Sequence, residues 1–280
     1  MFHDKYIFTC LLFLSVIIPS YSIENPNINL TASADSIIPN EPLSITIEYL
    51  NIAEDSINNK TISILINDIM IEQPLISGQF QETSPGVFRI LYELFYNFRK
   101  HKLIFENPGE NRIQIIDSSN NAKSNIVIIN VKSPSDEDVK TQKLFCGSEK
   151  HIRAYMVHEF SDNIIKEYQN LISKYPKSPF APYASVSLGI YFLRSIGANP
   201  DKRNDENEIK NIIKYFENAD NYTKRSILRE KAKYYYALCN GKLKHYDIAM
   251  NILVDLRNEY PDGKFIIRVH KLVDEINQNR

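Results

Sequence analysis

The sequence predicts a chain of the class all-β plus all-α: an antiparallel β-sandwich over residues 23–133, then helical hairpin repeats over residues 134–280, behind an export leader at 1–22. Three observations carry this. Apolar residues recur at every second position in the first half and at every third or fourth in the second. The pattern Leu-x-x-x-Tyr-Pro-x-x-x-Phe occurs twice, at Leu171–Phe180 and at Leu256–Phe265. An uncharged run of 12 residues, Ile7–Ile18, stands at the front.

The leader is the first element. Its run is shorter than the roughly 20 apolar residues needed to span a bilayer, and it matches the apolar region of a secretory signal. Pro19 breaks it, and Ser20-Tyr21-Ser22 sets small residues before a cut, so the mature chain should start near Ile23. Cys10 lies inside the run, not behind a cleavage site, which argues against a lipid-modified N-terminal cysteine. Cys146 and Cys239 remain. In an oxidising compartment they either pair or stay as two buried thiols, and their spacing leaves both open.

The composition fits folded domains, with 43% hydrophobic and 24% charged residues among 280. A net charge of −1 gives no general attraction to nucleic acid or anionic membrane. Residues 23–133 hold 8 Lys+Arg against 13 Asp+Glu, and residues 134–280 hold 24 against 20. This sign change, the change of period and Pro134 together predict a boundary near Ser133–Ser135 and two separable halves.

In the first half Leu43, Ile45, Ile47 and Tyr49 alternate with Ser44, Thr46 and Glu48, as in a half-buried strand. Further strands are expected at Ile62–Ile66, Val87–Phe95, Arg112–Asp117 and Asn125–Lys132. Turn residues separate them: Pro39-Asn40-Glu41-Pro42, Ser84-Pro85-Gly86, Asn107-Pro108-Gly109 and Asn120-Asn121. The group Phe98-Arg99-Lys100-His101-Lys102 reads as a solvated hairpin loop in preference to a basic loop for an anionic partner. The opening IIPNEPLSITIEYLN and the close NPGENRIQIID…KSNIVIINVKSP resemble the immunoglobulin-like modules of bacterial envelope proteins. Asn40 stands where those modules usually carry glycine, and Asn111 where they carry an aromatic residue.

In the second half Ser135 and Asp138 form a potential capping box. Three helical stripes follow: Ile164, Ile165, Tyr168, Leu171, Ile172, Tyr175; Leu228, Ala232, Tyr235, Cys239; and Ile248, Ile252, Leu253, Leu256. Each Tyr-Pro ends a helix, because proline cannot continue one. Ser178-Pro179 should start the next, with serine as cap. The two copies lie two repeat units of about 42 residues apart, within the range of helical repeats. Tyr246, Ala249, Leu253 and Pro261, with Leu188-Gly189, resemble tetratricopeptide repeats. The spacer YPKSPFAPYASVSLG is similar to that of periplasmic Tol–Pal-associated proteins and the outer-membrane assembly lipoprotein. The middle unit departs from the pattern at Lys233 and Asn240.

Catalytic and cofactor motifs are missing from the sequence: there is no Gly-rich phosphate loop, Gly-x-Ser-x-Gly, His-Glu-x-x-His or Cys-x-x-Cys. No enzyme activity, metal or cofactor is therefore expected. His151 and His158 lack a carboxylate at ligand spacing and read as surface histidines. Residues 224–244 carry seven Lys and Arg against Glu230 alone. On that helix Arg229, Lys233, Tyr236 and Asn240 share one face next to the apolar stripe. In the repeats it resembles, the first helix of each hairpin lines the groove, which implies that these four hold an acidic or C-terminal segment of a partner protein; the alternative is a solvated basic helix face. The sequence thus points to an exported protein-binding scaffold of the cell envelope, periplasmic or extracellular, with no nucleic-acid partner and no membrane span once the leader is cut. The other reading is a sandwich that binds carbohydrate or wall polymer, with structural helices.

Overall fold

The structure, a computed structural model, describes residues 27–279 apart from 53–56, 58–61, 72–74, 77–80, 98, 199–204, 224 and 262. The expected leader and the start near Ile23 lie outside the described residues.

The N-terminal half consists of antiparallel β-sheets. The first joins β1 (Asn27–Ala32), β3 (Leu43–Leu50), β8 (Val87–Leu94) and β6 (Leu75–Ile76) in that order, with β7 (Gln81–Ser84) also on β8. The second has the order β2 (Ser36–Ile37), β13 (Val127–Val131), β11 (Gly109–Asp117), β4 (Ile62–Ile66), β5 (Ile69–Ile71), with β12 (Ala122–Lys123) on β11. Only β2 on β13 is a parallel pairing among the described strands. Alternation decides which side chains go inward. Ile45 and Ile47 of β3 and Phe88 and Ile90 of β8 meet Ile64, Ile113, Ile115 and Ile129 of the second sheet in one apolar cluster. The basic group forms the tip of a small hairpin, β9 (Tyr96–Asn97) with β10 (Lys102–Leu103), where Arg99 through Lys102 are exposed.

Asparagine makes several of the turns. Asn40 (φ 62), Asn67 (φ 51) and Asn121 (φ 58) take the left-handed conformation, which Asn adopts more readily than most residues. Asn40 thus takes a conformation that glycine adopts freely. Asn67-Asp68 links β4 to β5 with positive φ at both positions, the two-residue hairpin geometry.

Among the described residues, eight helices make up the C-terminal half: α1 (Asp136–Cys146), α2 (Glu149–Val157), α3 (Asp162–Lys174), α4 (Ala181–Ala198), α5 (Glu206–Tyr222), α6 (Ser226–Lys242), α7 (Tyr246–Glu259) and α8 (Ile266–Asn279). The capping box forms: Ser135 Oγ accepts from the Asp138 amide, and Asp138 Oδ2 accepts from the Ser135 amide at 2.8 Å. Each helix from α3 to α7 packs on the next, and α6 also touches α4 and α8. Gly189 of α4 permits a close approach to α5, since a Cβ there would lie 2.7 Å from the Phe216 ring.

Two expectations shift by a residue or two. The third stripe turns so that Ala249, Leu253 and Leu256 are buried while Ile248 is 46% exposed. The alanine, small enough to vanish from a hydrophobicity count, lets a neighbouring helix come close. Ser178 caps a preparatory turn, accepting from the Phe180 amide at 3.3 Å, and α4 starts only at Ala181. Cys146 and Cys239 are separate buried thiols, and burial pushes both pKa values up to about 12.

The passage from β13 to α1 falls at residues 132–135, yet the two halves share a core. Past the end of β8, Phe95 is 1% exposed and packs 5.1 Å from Tyr155 and 5.9 Å from Phe145, ring centre to ring centre. Tyr183 of α4 donates to the Pro42 carbonyl at 3.1 Å. Arg225, ahead of α6, pairs with the buried Glu41 at 2.7 Å and donates to the Ser36 carbonyl. Such packing opposes separable halves, because parting them would expose aromatic surface and strand a buried carboxylate. No helix among the described residues is long and apolar enough to cross a membrane.

Candidate functional site

The four residues singled out on α6 do share a face, and that face is met by acids from the neighbouring helices. Arg229 Nε lies 3.2 Å from Asp220 of α5, and Arg229 also reaches the Asp220 and Thr223 carbonyls. Lys233 Nζ pairs with Glu259 of α7 at 2.6 Å. The Tyr236 phenol, pushed up in pKa by burial, hydrogen-bonds Glu217. Asn240 is 3% exposed and donates to the Tyr236 carbonyl at 3.0 Å. The stripe therefore ties α6 to α5 and α7, and its charges are matched within the chain. Lys233 and Asn240, the departures from the repeat pattern, are part of this polar seam.

Neither histidine is an ordinary surface residue. His151 is buried, with its ring nitrogens on Ser148 Oγ at 2.7 Å and on Glu167. His158 ends α2 in the left-handed conformation (φ 59). Burial, with Lys231 and Arg194 nearby, pushes its pKa down to about 3, so it is neutral. No group of three or more His, Cys, Asp and Glu among the described residues could hold a metal ion.

Three clefts stand out among the described residues. A groove of about 550 Å³ runs between α3, α4 and α5, lined by Ile165, Tyr191, Phe192, Ile196, Ile212 and Tyr215. Its aromatic wall is continuous: Phe192 stacks on Tyr215 at 5.7 Å, and Tyr191 lies 4.9 Å from Phe160. Gln169 donates to the Tyr215 hydroxyl at 3.2 Å, which fixes that ring. Tyr191, Phe192 and Tyr215 are only half-buried, although the helix faces beneath them are sealed. Partly exposed aromatic side chains on a rigid wall offer apolar area with little entropy to lose.

The other two clefts lie where the halves meet, each beside one Tyr-Pro turn. A cleft of about 330 Å³ lies by the first turn, with Lys177 and Pro179 facing Ile37, Lys132 and the Glu41–Arg225 pair. A cleft of about 440 Å³ lies by the second, with Tyr260, Pro261, Gly263 and Lys264 facing Thr31, Thr46, Glu48, Arg89 and Leu91 of the first sheet. Glu230 of α6 reaches into the second turn, and its Oε1 accepts from the Phe265 amide at 2.6 Å. A Cβ at Gly263 would lie 2.3 Å from that oxygen, so a side chain there would have to displace the Glu230 carboxylate.

Sequence reasoning missed the aromatic groove, because Tyr191, Phe192 and Tyr215 lie outside the stripes and motifs it singled out. It missed the role of Glu230 as well. The signal was there: one acid in a basic helix, and glycine in the second repeat where the first has serine. No protein-family model matches this chain, and the comparison with curated proteins gives no match either.

Proposed function

We propose that the chain is an exported, non-enzymatic protein-binding scaffold of the cell envelope, in which an immunoglobulin-like β-sandwich is fused to tetratricopeptide-like hairpins. The half-exposed aromatic groove between α3, α4 and α5 carries the reading. Its shape suits an apolar peptide segment, and it has no constellation for chemistry. Two further features support the architecture. The start of the chain divides between sheets, β1 in one and β2 in the other, as in sandwiches whose first strand switches sides. The helices stack on near neighbours, as repeat hairpins must to bury their faces. The groove replaces the α6 stripe as the binding surface, since that stripe is occupied by its own acids.

The test is affinity capture from cell envelope with the wild-type chain and with a Tyr191→Ala, Tyr215→Ala variant of unchanged melting temperature. The expected result is loss of the captured partner with the variant. An identical set of captured proteins would overturn the groove. Export is tested by N-terminal sequencing of envelope material, where a start at Met1 would overturn it.

A further inference from the structure

We propose that the cleft by the second Tyr-Pro turn binds a neutral saccharide, held between the outer face of the first sheet and the turn itself. This site is separate from the aromatic groove and does not depend on it.

Strand register sets the floor, because side chains two apart on a strand share a face. Thr31 of β1 stands opposite Thr46 of β3, and Thr46 opposite Leu91 of β8. In the next row Asn29 stands opposite Glu48, and Glu48 opposite Arg89. All of these but Asn29 line the cleft. The second row is tied together: Arg89 Nε donates to Glu48 Oε1 at 2.9 Å, and Asn29 Nδ2 donates to Glu48 Oε2 at 3.2 Å. A planar guanidinium and a planar carboxylate are thus fixed beside the threonines. In the first row, neither threonine hydroxyl has a hydrogen-bond partner among the described residues. Side chains directly opposite in a ladder lie about 5 Å apart, and successive ones on a face about 7 Å. The two rows form a rigid grid of donors and acceptors no wider than a disaccharide.

The other wall is largely apolar. Tyr260 and Pro261 of the turn and Ile227 of α6 close the cleft over the grid, leaving about 440 Å³, within the range of small-ligand sites. A sugar has the matching two aspects: C–H faces that pack on tyrosine and proline rings, and hydroxyls that each donate and accept. The charges select against ions. Arg89 and Lys264 line the cleft against Glu48 and Glu230, which sums to zero. Glu48 is already paired with Arg89, and Glu230 already holds the Phe265 amide. An ion entering would lose hydration without meeting a net opposite charge. A wholly apolar ligand would cut the Thr31 and Thr46 hydroxyls off from water and leave them unpaired. A neutral polyol avoids both costs. The floor belongs to the sandwich and the other wall to the helices, so the site exists only where the two halves meet.

The test titrates the full-length chain by calorimetry with three neutral trisaccharides, maltotriose, cellotriose and triacetylchitotriose, and with two charged ones, cationic deacetylated chitotriose and anionic trigalacturonate. At least one neutral trimer is expected to bind saturably, with little dependence on salt. The charged trimers should bind about tenfold more weakly or worse. Thr31→Val with Thr46→Val keeps the shape of both side chains and removes both hydroxyls. It should weaken binding by about tenfold or more, as for two neutral hydrogen bonds. Ile227→Trp, which fills the cleft from the helix side, should abolish binding and keeps the test valid if the threonine variant unfolds. Tyr191→Ala with Tyr215→Ala, in the aromatic groove, should leave it unchanged. Retention on granular starch, cellulose or chitin that the matching trimer displaces would support the site with a polymer as its source, and trimer binding without retention would support it with a soluble sugar. Binding of no neutral trimer, tighter binding of a charged one, or full affinity in the threonine variant would overturn it.

Discussion

The two Tyr-Pro turns share a backbone and differ in what surrounds it. Tyr175 and Tyr260 end their helices at φ −130, ψ 53 and φ −132, ψ 62. Their amides donate to Leu171 and Leu256, 3.0 and 2.9 Å away. Their carbonyls then accept from Ser178 and Gly263, whose own carbonyls accept from Ala181 and Ile266. The repeated Leu, Tyr, Pro and Phe specify this path: Leu and Phe are buried in both copies, and proline stops the helix. What caps the Phe amide differs. Ser178 does it from within the turn, whereas Gly263 leaves a gap that Glu230 fills from another helix. The ion pairs by the turns differ too. Glu41–Arg225 crosses between the halves and is buried on the acid side, whereas Glu48–Arg89 stays within one sheet and is partly exposed on both. One turn is a clamp and the other is the wall of a cleft. A repeat therefore conserves a path for the chain while the same position is free to close or open a site.

The largest effect should come from unlocking the clamp. Arg225→Ala strands Glu41 in a buried site and should cost about 3–5 kcal/mol, measured by chemical denaturation. The matched Arg89→Ala breaks a partly exposed pair and should cost about 1 kcal/mol or less. Equal costs would mean that the two pairs do the same job. Both halves should also unfold in one transition, and two transitions in the wild type would show that the junction carries little. Next in size is Gly263→Ala. Its new Cβ meets the Glu230 carboxylate at 2.3 Å, and overpacking of this kind costs about 1–3 kcal/mol. A melting temperature within a degree of wild type would show that Glu230 can swing away freely.

These contrasts separate what was legible in the sequence from what was not. Alternation placed β3, β11 and β13 because one face of each strand is buried, so period two had to appear. The capping box of α1 was legible because both partners lie three residues apart. The two turns were legible because they recur. The Asn67-Asp68 hairpin was also open to reading, since a two-residue loop of Asn and Asp between apolar runs is a turn signal, but it lies inside an otherwise unbroken strand pattern. The neutralised stripe on α6 was not legible. Seven basic residues in a row of 21 mark a charged helix, but their partners Asp220, Glu217 and Glu259 sit on other helices at distances no local pattern encodes. The residues of α6 that line the cleft are Ile227 and Glu230. Ile227 is two positions from Arg229, and a shift of two residues in a helix moves a side chain more than half way round, which is enough to exchange seam for cleft.

A smaller and more pointed prediction converts one turn into the other. Glu230→Ala leaves the Phe265 amide buried without an acceptor and should cost about 1–3 kcal/mol. It also removes the oxygen that keeps a side chain out of position 263. Adding Gly263→Ser then supplies the hydroxyl that Ser178 supplies in the first turn, and should return about 1 kcal/mol, the usual worth of such a cap. In wild type the same Gly263→Ser should destabilise. The sign reversal is the result to look for in a double-mutant cycle. Loss in both backgrounds would mean that the turns are alike only in trace.

The smallest effect is a slope with pH. Burial raises the Glu230 carboxyl above its ordinary value of 4.5, against the pull of the Phe265 and Lys264 amides and the Lys264 charge. A carboxyl raised on folding favours the folded state in its protonated form. Its contribution is complete below the unfolded value and is lost as pH rises through the folded one. Glu230→Gln keeps an acceptor oxygen for Phe265 and removes the titration. Its melting temperature relative to wild type should therefore climb between pH 4 and pH 7. The first turn has a hydroxyl at the same place, so Ser178→Ala should shift the melting temperature by the same amount at every pH in that range. A flat difference for Glu230→Gln would show that the carboxylate is as well solvated in the turn as in water. The cleft would then be open at that point, and Gly263 would owe its place to something other than a dehydrated acid.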